Sequence, residues 1–125
     1  MSGKKILVVE DNLLNRRLVH DVLARHGHQI SEATSVEEGR AQLERDTPDA
    51  VLLDIGLPGG GGELLLHEIR RDSRWEHLPV MAVTAYAMVG DRERFLKLGF
   101  DAYVSKPINT RTFPQEVATM LEKPR

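Results

Sequence analysis

The chain of 125 residues is the length of one domain, and its 41% hydrophobic and 29% charged residues are ordinary for a folded globular protein and exclude a disordered one. A formal charge of −2 gives no electrostatic footprint for direct nucleic-acid binding, and zero cysteines exclude disulfides, zinc-thiolate sites and thiol catalysis. No apolar run approaches the ~20 residues of a membrane span and the N-terminus lacks a signal peptide's apolar core, so a soluble, cytoplasmic protein is expected.

In chain order, Lys4 to Val9 predicts a buried strand, and Asn12 is the candidate N-cap of a helix carrying Leu14, Leu18, Val22 and Leu23, closed by Gly27. Gln29 to Ala33 alternates and is more polar, as an edge strand would be. Ser35 with Glu38 forms a capping box for a second helix. Pro48 stops the chain before Val51-Leu52-Leu53-Asp54, a strand buried on both faces that ends in a carboxylate. Gly59 to Gly62 predicts a flexible loop, since it lacks the Gly-Lys-Ser/Thr ending of a phosphate-binding loop. Leu65, Leu66 and Ile69 give the next helix its apolar side. Val80 to Val83 is the fourth strand. A helix from Met88 to Leu98 follows, stopped by Gly99, then a strand from Ala102 to Ser105. Phe113, Val117, Met120 and Leu121 mark the last helix, capped by Asn109 or Thr110, with Pro114 in its first turn. The arginine clusters at Arg16-Arg17, Arg70-Arg71 and Arg92 to Arg94 are expected to be solvated helix faces, and His26 and His28 to sit in a solvated turn.

Strand and helix alternate five times, which predicts a parallel sheet with helices on both faces, and a single domain over residues 1–125 with no second DNA-binding or catalytic domain. Parallel strands bring their ends to one edge, where open α/β folds hold ligands. Glu10, Asp11, Asp54, Thr84 and Lys106 all fall there. Crowded carboxylates repel one another unless a cation sits among them, and hard oxygen donors favour Mg²⁺. Asp11 and Asp54 are candidate ligands, with Glu10 acting through water. A metal-held carboxylate can attack a phosphoryl group, and Lys106 and Thr84 supply the cation and hydroxyl such a transfer needs. The duller alternatives are that Asp54 caps a turn and that Glu10 and Asp11 cap the first helix. The Lys106-Pro107 bond is a candidate for the cis form.

The ordered set Glu10-Asp11, Asp54 with Pro58, Thr84-Ala85 and Lys106-Pro107 resembles the receiver domains of two-component response regulators over essentially the whole chain. Glu10-Asp11-Asn12 to Asn15 looks most like stand-alone cell-cycle regulators and the receivers of hybrid kinases. The resemblance implies a five-stranded parallel sheet of order 2-1-3-4-5. It implies Asp54 as phospho-acceptor, Mg²⁺ held by Asp11, Asp54 and the Gly56 carbonyl, Lys106 paired with the phosphoryl group, and Thr84 with Tyr103 as a switch pair. Judged without the family, Tyr103 is a core residue.

The implied function is a switch phosphorylated by a histidine kinase or histidine phosphotransfer protein. Its output runs to a downstream protein through the fourth helix, fifth strand and fifth helix, and its only chemistry is gaining and losing its own phosphoryl group. Alternatives are a degenerate receiver that only docks, and a Mg²⁺-dependent aspartyl phosphohydrolase, against which Gly56 stands where such enzymes carry a second aspartate. The tetraglycine replaces the methionine and Asp-Gly pair usual in receivers, and Gly56 replaces a larger side chain. Tyr86 is therefore expected to lean across the opening beside Asp54 and shield the phosphoryl group from water.

Overall fold

The computed structural model describes residues 3–85 and 88–123. Five strands, β1 (Lys5–Val9), β2 (Gln29–Ala33), β3 (Ala50–Asp54), β4 (Val80–Thr84) and β5 (Ala102–Ser105), alternate with five helices. These are α1 (Leu13–Arg25), α2 (Val36–Arg45), α3 (Gly61–Arg71), α4 (Asp91–Leu98) and α5 (Phe113–Glu122). The strands pair in parallel in the order β2-β1-β3-β4-β5, as expected. Among the described residues no helix is long and apolar enough to cross a membrane.

The period of two in each strand divides the core. Leu7, Val9, Val51, Leu53, Val80 and Ala82 pack with Leu43, Leu65, Ile69 and Phe95 of α2, α3 and α4. Ile6, Val8, Leu52, Met81, Val83 and Val104 pack with Val22, Leu23, Phe113 and Val117 of α1 and α5. Leu7, Leu23, Leu43, Leu52 and Leu53 are almost wholly buried, each contributing about 1.5–3 kcal/mol over an exposed side chain.

Local caps match the sequence closely. The Asn12 side chain accepts from the Asn15 N–H at 2.9 Å, and the Ser35 hydroxyl from the Glu38 N–H at 3.1 Å. The box closes one residue early, however, because the Glu38 carboxylate accepts from both the N–H and the hydroxyl of Thr34. Gly99, at φ 119°, ends α4 in a left-handed conformation open to glycine.

Five expectations need correction. The buried stripe of α1 is Val19, Val22 and Leu23, whereas Leu14 is 77% exposed. The packing phase of α1, set by β1 and β2, turns Leu14 outward. The α4 helix starts at Asp91 and not Met88, because Gly90 at φ 87° breaks the helical path while the Asp91 carboxylate accepts from the Met88 N–H. Thr112 occupies the cap position of α5, and Asn109 instead holds the preceding turn, its side chain accepting from the Arg111 N–H. The tetraglycine is only half a turn, since a single 3-10 turn covers Pro58–Gly60 and Gly61 and Gly62 already belong to α3. A Cβ on Gly62 would lie 2.4 Å from the Asp54 carbonyl oxygen, so the missing side chain lets α3 begin pressed against the end of β3. Finally, Arg16 and Arg70 are not solvated; each side chain is only 14% exposed. Arg70 ties α3 to the Gly99 and Leu78 carbonyls and the Asp101 carboxylate, where its planar fork of donors meets several acceptors.

Candidate functional site

The alternation that divides the core also sorts the edge. Glu10 follows Val9, Asp54 follows Leu53 and Lys106 follows Ser105, so all three share the parity of the α1/α5 face. Thr84 and Tyr103 carry the opposite parity. Register does the rest: Val9 pairs with Leu53, Asp54 with Val83, and Thr84 with Ser105, so the strand ends come level.

Three carboxylates gather at that edge. Glu10, Asp11 and Asp54 each bring an oxygen within 4.8 Å of the others; Glu10 and Asp54 are buried and Asp11 is exposed. Lys106 Nζ lies 2.7 Å from Glu10 Oε1 and 3.1 Å from Asp54 Oδ1. The Gly56 N–H donates to Asp54 Oδ1 at 2.8 Å, and the Asn12 N–H to Glu10 Oε2 at 3.0 Å. The Lys106 N–H donates to the Thr84 carbonyl at 2.7 Å, which fixes the start of the segment carrying the ammonium. The Lys106-Pro107 bond is cis.

Burial pushes the Glu10 carboxyl above its usual range, with the Asp54 charge adding to the rise and hydrogen bonds from Lys106 and Asn12 opposing it. Burial also pulls on Lys106, downward, but the hydrogen bond to Glu10 and the charges of Glu10 and Asp54 outweigh it, so its net shift is upward. For one ion pair these directions conflict, since the first favours a neutral acid and the second a charged base. The Lys106 direction governs, because two carboxylates face its ammonium. Three carboxylates against one ammonium leave the cluster with an excess of negative charge, and its all-oxygen donor set suits a small hard divalent cation such as Mg²⁺.

A family model described as the response regulator receiver domain matches residues 6–118. The chain belongs to this family. Receiver domains are signalling modules of two-component systems, and the switch class expected from the sequence is borne out at that level. The polar-differentiation response regulator DivK of Brucella ovis is 36% identical over 118 residues, spanning 94% of this chain and 96% of the relative. Among solved structures, the receiver domain of a sensor histidine kinase from Pseudomonas aeruginosa superposes with a TM-score of 0.86 at 30% identity, covering 98% of this chain and 100% of the other. That receiver has a magnesium ion coordinated in its active site cleft. A CheY-like receiver from Methanospirillum hungatei gives a TM-score of 0.85 at 29% identity, covering 97% of this chain and 95% of the other.

The fold brings Glu10, Asp11, Asp54, Lys106 and Gly56 of this receiver together. Thr84, 1% exposed, ends the neighbouring strand. Tyr103 stands apart from the carboxylates: its ring stacks on Phe95 at 5.7 Å between centroids and packs against the α2–α4 core, while it stays partly exposed. Tyr86, the expected shield, lies outside the described residues. Sequence reasoning missed Arg16, whose Nη1 donates to the Glu10 carbonyl at 3.1 Å, and Glu32, which accepts from Arg16 Nε at 2.8 Å. A charged residue in the middle of a polar edge strand was the available signal for Glu32.

Proposed function

We propose that this receiver is a phosphorylation switch whose acceptor is Asp54, charged by a histidine kinase or histidine phosphotransfer protein. The carrying observation is the Lys106 ammonium held 3.1 Å from the buried Asp54 carboxylate within a cluster of three acids. A buried carboxylate is a useful nucleophile only if its approach to a dianionic donor is neutralised, and ammonium plus cation meet that need. Asp11 and Asp54, with the Gly56 carbonyl and with Glu10 through water, would hold Mg²⁺, which supplies charge neutralisation and orientation of the phosphoryl oxygens.

In the transfer an Asp54 oxygen forms a bond to phosphorus as the donor's leaving group departs in line with the bonding electrons. The contacts from Lys106 and the Gly56 N–H to this carboxylate converge on Oδ1, which supports Oδ2 as the attacking atom. Lys106 then pairs with the phosphoryl oxygens, and the Thr84 hydroxyl donates to one of them. Thr84 moving toward the phosphoryl group opens space on the face where Tyr103 packs, and the ring turns into it. Output passes to a downstream protein across α4, β5 and α5, where a cleft of about 420 Å³ is lined by Leu96, Tyr103, Arg111 and Met120. The domain is read as a switch with no substrate other than its own aspartate, working in the cytoplasm where ATP-dependent kinases act.

The test is incubation with acetyl phosphate and Mg²⁺ followed by intact mass. One phosphoryl adduct is expected in wild type, none in Asp54→Asn and none in excess chelator. An adduct of equal yield in either control overturns the assignment.

A further inference from the structure

The carbonyl of Glu10 belongs to the peptide that leads into Asp11, and one side chain grips it. Arg16, one turn into α1, donates from Nη1 to that oxygen at 3.1 Å. Its Nε donates to Glu32 Oε1 at 2.8 Å, and Glu32 Oε2 is in turn held by His20 Nδ1 at 2.5 Å. Arg16 is 14% exposed and Glu32 34%, so the guanidinium is braced in a partly buried slot between α1 and β2. The preceding peptide is held as well, the Glu10 N–H donating to the Ala33 carbonyl at 2.9 Å.

Asp11 needs this support more than its neighbours do. Glu10 and Asp54 are oriented by Lys106 and by backbone N–H groups. Among the described residues no side-chain hydrogen bond or ion pair anchors the exposed Asp11 carboxylate, so the backbone that carries it sets its direction. We propose that Arg16 is a positioning residue for the divalent cation: by holding the Glu10 carbonyl it orients the Glu10–Asp11 peptide and so aims the Asp11 carboxylate into the acidic cluster. The inference rests on the reading of that cluster as a Mg²⁺ site. Groups that orient a ligand commonly change metal affinity by tenfold or more when removed. A lysine at this position could not reproduce the grip, because a point charge does not present two fixed donors to two acceptors.

The sign of the effect separates positioning from simple charge. Arg16 is a cation close to the site, so deleting it should tighten Mg²⁺ binding if charge alone mattered. Positioning gives the opposite outcome. Calorimetric titration of the full chain with Mg²⁺ is expected to show about tenfold weaker binding in Arg16→Ala. Arg16→Lys should restore only part of the loss, and Arg17→Ala, an exposed change next door, none of it. Arg16→Gln, which keeps much of the side chain's length but removes both its charge and its grip on two acceptors, should weaken binding in the same direction and covers the case in which Arg16→Ala fails to fold. Unchanged or tighter binding in Arg16→Ala, or in Arg16→Gln where the former is unfolded, overturns the proposal while leaving the metal site standing. Wild type that binds no Mg²⁺ overturns the site reading and the proposal with it.

Discussion

The shorter contact of the Lys106 ammonium is to Glu10, at 2.7 Å, and the longer one is to Asp54, at 3.1 Å. The lysine therefore screens two buried acids from each other. Removing one partner of a buried ion pair leaves uncompensated charge and costs about 3 kcal/mol or more. In chelator, urea unfolding of Lys106→Met should show a loss of that size, and excess Mg²⁺ should recover part of it. A midpoint equal to wild type in chelator would mean that the acids need no such screening.

Gly62 allows α3 to begin against the backbone of the acceptor strand. A Cβ added there would lie 2.4 Å from the Asp54 carbonyl oxygen and 3.0 Å from the Ile55 Cα, both backbone atoms with little room to give. Gly62→Ala should destabilise by about 1–3 kcal/mol through overpacking, despite alanine's better helix propensity. A more stable variant in denaturant melts would show that α3 can slide away freely.

Thr84 and Tyr103 share the parity opposite to that of Asp54, and Tyr103 lies on Phe95 of α4. Adding a beryllofluoride phosphoryl mimic should shift NMR resonances across α4, β5 and α5 in wild type. In Thr84→Ala the shifts should stay near Asp54. Identical patterns in the two proteins would refute the coupling.

Arg40 reaches from α2 to Glu68 of α3 with two hydrogen bonds of 2.7 Å, and these hold the Glu68 carboxyl below its usual value of 4.5. A depressed folded value stabilises the fold above the ordinary carboxylate range, and the contribution disappears as pH falls through the lower folded value. Both side chains are about a third exposed, at 39% and 32%, so solvent screening limits the effect to roughly 1 kcal/mol or less. The stability gap between wild type and Glu68→Gln should be present at neutral pH and close on acidification. A gap that is constant or widens in acid would contradict the assignment.

Strand and helix periods and most caps are encoded within a few neighbouring positions, so the order of the ten elements and the residues at the strand ends were legible from the amino acids alone. Asp54, Asp11, Glu10 and Lys106 were legible as one cluster because parallel strands bring their ends to a common edge. Which faces were buried and which partners were met depended instead on how the folded elements pack against one another. Leu14 lost its place in the core to Val19 because the sheet fixes the rotation of α1. Gly61 and Gly62 joined a helix because close packing on Val36 and the Asp54 carbonyl outweighed glycine's poor propensity. Arg16 and Arg70 look like any surface arginine in a helical pattern. Their acceptors are a backbone carbonyl beside the acid pair and a side chain sixteen residues away for Arg16, and loop carbonyls and Asp101 for Arg70. Periodicity records whether a position faces the core, but not which distant acceptor waits there, because that depends on the packing of the whole chain.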